Sequence, residues 1–144
     1  MGRGNSGKLV TEVKKAMLKA APPCELAIVD GSPGIGCPDL VLVVEEPSGS
    51  GISDLKRLCA TAATLQVQLA VCVNKYDVSP QHTERIETFC RQQGIAFVGK
   101  IPFDPMAVRA VNEGTTVVDI DCPAGRAVRE IFAKLTALLA ERSI

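Results

Sequence analysis

The 144-residue sequence contains no tryptophan, one tyrosine and one histidine, and four phenylalanines complete its aromatic complement. A core without large rings has to be aliphatic, and with 47% apolar residues there is enough material for one. Net charge is missing as well, because sixteen Lys and Arg balance sixteen Asp and Glu. No long-range field then draws the chain to nucleic acid or to an anionic membrane. No apolar run approaches the roughly 20 residues of a membrane span. The start, MGRGNSGKLV, is polar and Gly-rich, unlike a signal peptide. The six cysteines, Cys24, Cys37, Cys59, Cys72, Cys90 and Cys122, include no C-x-x-C pair, which excludes a zinc knuckle or a ferredoxin ligand run. Several lie inside apolar runs such as AVCVN and read as reduced, buried thiols of a cytoplasmic protein. Ser32, Ser48 and Ser50 have no neighbouring histidine for a hydrolytic triad. His82, among polar residues at a helix start, reads as solvated surface.

What is present alternates. Residues 9–21 keep helical spacing at Val10, Val13, Met17 and Ala20, and Pro22 and Pro23 stop that helix. A short apolar run, ELAIVD, ends at Asp30 and reads as a first strand. After the Gly/Pro loop GSPGIGCP comes DLVLVV, continuous and β-branched, a strand covered on both faces. A helix is expected over 52–66, a third strand at LAVCV, and a helix from Pro80 to Gln93 capped by Gly94. IAFVGKI is a fourth strand, Pro105 opens a short helix ending near Gly114, and TVVDI is a short fifth strand. A final helix over 123–142 carries the stripe Val128, Ile131, Phe132, Leu135, Leu138 and Leu139, which reads as core packing. The whole chain, 1–144, is expected to be a single α/β domain with a mostly parallel sheet flanked by helices.

Parallel sheets bind ligands beyond the carboxyl ends of their strands, and the polar motifs fall there. In Asp30-Gly31-Ser32-Pro33-Gly34, a carboxylate can hold a magnesium-bound water, and a glycine lets a backbone N–H approach a γ-phosphate; a strand-ending acid and a tight turn would look the same. Asn74-Lys75-Tyr76-Asp77 follows a buried strand. Its Asn amide offers a donor and an acceptor to a purine edge, its Lys stem can cover the ring, and its Asp can accept two N–H bonds from guanine; the alternative is a polar turn before the next helix. In Ile101-Pro102-Phe103-Asp104, the loop could flank the same base, or Asp104 could simply cap the helix that Pro105 begins. Gly2, Gly7 and Lys8 match G-x-x-x-x-G-K, but no strand precedes them and Leu9 stands where a phosphate loop has its hydroxyl.

Read in order, NSGKLVTEVKKA, ELAIVDGSPGIGCP, DLVLVVEEPSGSGISDLKR, AVCVNKYD and GKIPFDP resemble the MinD/ParA-like P-loop ATPases that carry an inserted ferredoxin domain. The resemblance covers nearly the whole chain. It implies a P-loop NTPase-like fold, here incomplete, and ATP with Mg as ligands, GTP remaining open. By that resemblance Asp30 looks like the Walker B-type acid holding Mg through water. Gly34 looks like the switch glycine, and together they are the catalytic pair. Asn74, Lys75 and Asp77 look like the base-contacting group, and Pro102, Phe103 and Asp104 like the loop over adenine or ribose. The family's KGGxGKT loop and its ferredoxin cysteines have no counterpart, so no iron–sulfur cluster is expected in this chain. The expectation is a nucleotide-binding domain unable to hydrolyse ATP alone. The alternatives are a non-catalytic module completing a site with another chain, which would supply the Walker A half or a ferredoxin, and a truncated inactive remnant whose unpaired sheet edge drives homodimerisation.

Overall fold

A computed structural model describes Glu12, Lys15, Ala16 and Lys19 and residues 26–30 and 38–142. The chain divides into two compact units, Met1–Pro38 and Asp39–Ile144. In the first, the four described residues of the expected 9–21 helix are helical and exposed, with Lys15 Nζ 3.4 Å from Glu12 Oε1 one turn away; the rest of that helix lies outside the described residues, as do Gly2, Gly7 and Lys8. The strand expected before Asp30 does not form: residues 26–30 carry no regular structure and are exposed. A strand exists only through pairing. The eight residues 31–38 are fewer than the dozen or so a parallel crossover to DLVLVV needs.

The second unit contains three parallel strands, β1 (Leu40–Glu45), β2 (Gln68–Asn74) and β3 (Ala96–Ile101), in that spatial order, with β2 central. Four helices flank them: α1 (Gly51–Leu65), α2 (Pro80–Gln93), α3 (Pro105–Asn112) and α4 (Pro123–Arg142). Strand alternation sorts the apolar residues onto two faces. On one, Val43, Val71 and Val73 pack with Leu55 of α1 and Ile86 and Cys90 of α2. On the other, Ala70, Cys72 and Val98 pack with Ile131 of α4, with Leu135 and Leu138 half-buried against them. None of the described buried residues is aromatic: apart from Pro47, Gly51 and Gly125 they are aliphatic, cysteine and threonine. Burial pushes the Cys72 and Cys90 thiols up to about 11, so both stay protonated. Cys122 is also buried, while Cys59 is only half-buried.

Local chemistry explains the boundaries. Pro80 sits at the first turn of α2, where its missing N–H costs nothing, and Gly94 (φ +66°) ends the helix in the left-handed conformation. Gln66 does the same for α1 without being glycine (φ +56°). In β3, Phe97 pairs with Val71 but Gly99 with Cys72, so Val98 is the extra residue of a bulge. Gly99 (φ +154°) is required there, since a Cβ would lie 2.7 Å from Ile131 Cγ1. The bulge turns Lys100 toward α2, where its Nζ pairs with Glu87 at 2.8 Å and lies 5.4 Å from the Tyr76 ring centroid.

Four sequence expectations are corrected in this unit. DLVLVV is not covered on both faces: Leu42 and Val44 of β1 are exposed. TVVDI is not a strand: Val117–Asp119 is a 3-10 turn held by a capping box in which Thr116 N–H donates to Asp119 Oδ2 at 3.1 Å and Asp119 N–H donates to the Thr116 side chain, so local hydrogen bonding overrides β propensity. Phe132, assigned to the core stripe of α4, is 48% exposed, while Ile131, Leu135 and Leu138 of the same helix pack on the sheet. His82 is half-buried, with Nδ1 2.7 Å from Ser79 Oγ, rather than standing fully in solvent.

Candidate functional site

Because the strands run parallel in register, their carboxyl ends share one edge and three loops meet there. Asn74 is the last residue of the central strand and lies opposite Ile101, the last residue of β3. Its side chain is half-buried, and among the described residues nothing hydrogen-bonds its amide. No described polar side-chain atom is buried without a partner, so the amide is open to solvent or ligand. Lys75 then takes the left-handed conformation (φ +53°), unusual for a side chain with a Cβ. That turn leads the chain out of the sheet and into the 3-10 turn Tyr76–Val78, closed by Val78 N–H donating to Lys75 O at 3.0 Å. Thr83 of α2 fastens it, its Oγ1 lying 2.9 Å from Tyr76 O and 3.1 Å from Ser79 O.

Two contacts join this loop to its neighbours. Lys75 Nζ lies 2.7 Å from Glu46 Oε1, just beyond β1. Asp77 Oδ1 accepts the Phe103 backbone N–H at 2.8 Å, from the loop beyond β3. Pro102 is half-buried there, while the Phe103 ring is exposed on the rim. Asp104 uses both carboxylate oxygens locally. Oδ1 accepts Met106 N–H at 3.0 Å, capping α3, and Oδ2 accepts Ala124 N–H at 3.1 Å, at the start of α4. Those two backbone donors, Ala124 foremost, hold its carboxyl below the usual range. One side chain thus clamps two helix N-termini, where an anion is favoured.

The structure brings Asn74, Lys75, Asp77, Pro102, Phe103 and Asp104 to the same sheet edge. Asp30 belongs to the other unit and is exposed, and Gly34 lies outside the described residues. The sequence reading passed over Glu45 and Glu46. Their signal was the one used for Asp30: acids directly after a buried strand. Burial and neighbouring Asp54 push the Glu45 carboxyl up. With Glu45, Glu46, Asp77 and Asp104 on it, the rim is acidic, which suits an aromatic base bearing N–H donors better than a phosphate chain. Among the described residues, no three His, Cys, Asp or Glu side chains form a metal-binding group. No described helix is long and apolar enough to cross a membrane.

No family model matches the chain. Two curated proteins of Methanocaldococcus jannaschii are similar to it. Uncharacterized protein MJ0578 is 26% identical over 143 residues, 94% of this chain and 48% of that protein; Uncharacterized protein MJ0579 is 30% identical over 122 residues, 79% of this chain and 40% of that protein. The chain thus spans about half the length of the curated relatives it matches. Among solved structures, the MinD cell division protein of Aquifex aeolicus is similar with a TM-score of 0.57 at 24% identity, over 69% of this chain and 44% of that one. Three parallel strands flanked by four helices, matched at that level, give this chain an α/β fold like that of MinD.

Proposed function

We propose that the chain is the nucleotide-binding part of a MinD/ParA-like ATPase, taking the base of ATP at the strand-end rim. The observation that carries this is Asn74: a half-buried amide at the end of the central parallel strand, with no partner among the described residues. An amide in that place can donate to and accept from a purine edge, in the bidentate manner that Asn uses with adenine. The loop 102–104 would border the base, and the likeness to MinD favours a nucleotide over other flat ligands. When bound, ATP with its Mg supplies a transferable phosphoryl group; by family resemblance Asp30 would hold Mg through water and Gly34 would face the γ-phosphate. The acidic rim does not suit phosphates, and the resemblance assigns no Walker A lysine to this chain. Turnover by this chain alone is therefore not expected, since phosphoryl transfer depends on charge neutralisation.

Calorimetry of the purified chain with MgATP, ADP and GTP tests the reading. Measurable ATP binding is expected, and Asn74→Ala should weaken it about tenfold, the effect of losing a bidentate pair. No heat with any nucleotide sinks it. A second reading, a half-site completed by another chain carrying the Walker A loop or a ferredoxin, has its own observation: on β1, Leu42 and Val44 are 37% and 55% exposed, although Ala70 and Cys72 beside them on the same face are buried. Under that reading phosphate release appears only when the partner is added.

A further inference from the structure

We infer that Lys75 and Asp77 are positioning residues that tie three strand-end loops into one rim, leaving Asn74 as the member of the NKYD motif that meets the base. The inference rests on the nucleotide reading above and extends it to the division of labour within the motif. Lys75 reaches back to the loop after β1, where its ammonium pairs with Glu46, 29 positions away in sequence. Asp77 reaches forward to the loop after β3, accepting the Phe103 N–H across 26 positions. Two charged side chains of one tetrapeptide are thus engaged in opposite directions, while the amide between the strand and the turn stays open.

The geometry argues against the other role of such an Asp. Reading guanine takes two N–H groups onto the two carboxylate oxygens, and here Oδ1 already holds a backbone donor. A base docking on Asp77 would have to share that oxygen or release the Phe103 loop. The left-handed Lys75 points the same way. A residue with a Cβ is kept in that conformation when its surroundings over-determine it, and here the Glu46 pair, the 3-10 turn and Thr83 do so. Tyr76, between the two, is held by Lys100 over its ring and by Thr83 at its carbonyl, so the turn is tied to both α2 and β3.

The test uses the whole chain and two independent readouts. First, amide exchange at Phe103 is measured by NMR without nucleotide. The amide is expected to be protected in the natural chain, to exchange at least about tenfold faster in Asp77→Ala, and to regain protection in Asp77→Asn, whose amide oxygen still accepts. Second, ATP and GTP affinities are measured. Asp77→Ala is expected to weaken ATP about threefold to tenfold, Asp77→Asn to recover most of that loss, and the ATP/GTP ratio to stay constant through the series. Glu46→Gln and Lys75→Met should each weaken ATP, and the double variant no further than the worse single, as a shared interaction requires. An unprotected Phe103 amide, or a ratio that moves in Asp77→Asn, overturns the positioning role. A Phe103 pattern as expected, with no nucleotide bound by any variant, keeps the tie and instead removes the nucleotide reading.

Discussion

Asp104 shows how one side chain can be claimed by a site motif and used by the fold. Its oxygens cap α3 and receive the Ala124 N–H of α4, and each bond favours the ionised form. The folded carboxyl therefore titrates below its unfolded value. What it contributes is fully present above the unfolded value, near pH 4, and is lost as pH falls through the folded one. Asp104→Asn should lower the urea midpoint at pH 7, and the gap from the natural chain should narrow as pH falls below about 4. A gap independent of pH would show that the charge has no part in the clamp. This capping role was readable in the sequence, because Asp followed by Pro before an apolar run is a helix-start signal. The bond to Ala124 was not: it spans 20 positions and depends on where α4 comes to rest.

Elements obeyed their sequence signals where the signal was local and strong. Pro80, Pro105, Pro123 and Gly94 bound helices as expected, and all three parallel strands of the Asp39–Ile144 unit were legible as apolar runs. Glycines separate two causes of structural need. A Cβ on Gly94 would meet nothing within 4 Å, so Gly94→Ala costs only its left-handed conformation, about 1 kcal/mol. A Cβ on Gly125, in the first turn of α4, would lie 2.4 Å from Val117 O and 2.7 Å from Ile120 O. Backbone cannot swing aside, so Gly125→Ala should cost about 1–3 kcal/mol despite alanine's better helix propensity of about 1 kcal/mol. Urea unfolding of both variants measures this, and a smaller loss at Gly125 than at Gly94 would contradict the packing argument. TVVDI misled because its β-branched residues sit between Thr116 and Asp119, whose side chains and backbone satisfy one another without a ladder.

At the scale of the molecule, the Asp39–Ile144 unit has a sheet covered unevenly. Among the described residues β1 pairs on one side only, and its Leu42 and Val44 are exposed on the face that α4 covers further along, over β2 and β3. An apolar edge strand is a template for association. We expect the chain to self-associate at high concentration, and Val44→Lys to shift it toward monomer while changing folding stability by no more than about 0.5 kcal/mol. Sedimentation velocity reads the first effect and urea unfolding the second; an unchanged mass distribution would exclude β1 from the contact.

By itself the sequence determined the periodicities and boundaries: an aliphatic α/β layer, helices opened by proline and ended by glycine, and polar motifs at strand ends. Those follow from side-chain sterics and hydrogen bonds within a few residues. Only the tertiary structure decided which motif members are spent on the fold. Asp77 and Lys75 bond to loops 26 and 29 positions away, Asp104 bonds to a helix 20 positions on, and the Asn74 amide has no hydrogen-bond partner among the described residues. A tetrapeptide carries no record of which loops the sheet will set beside it, because that neighbourhood arises from strand order and register.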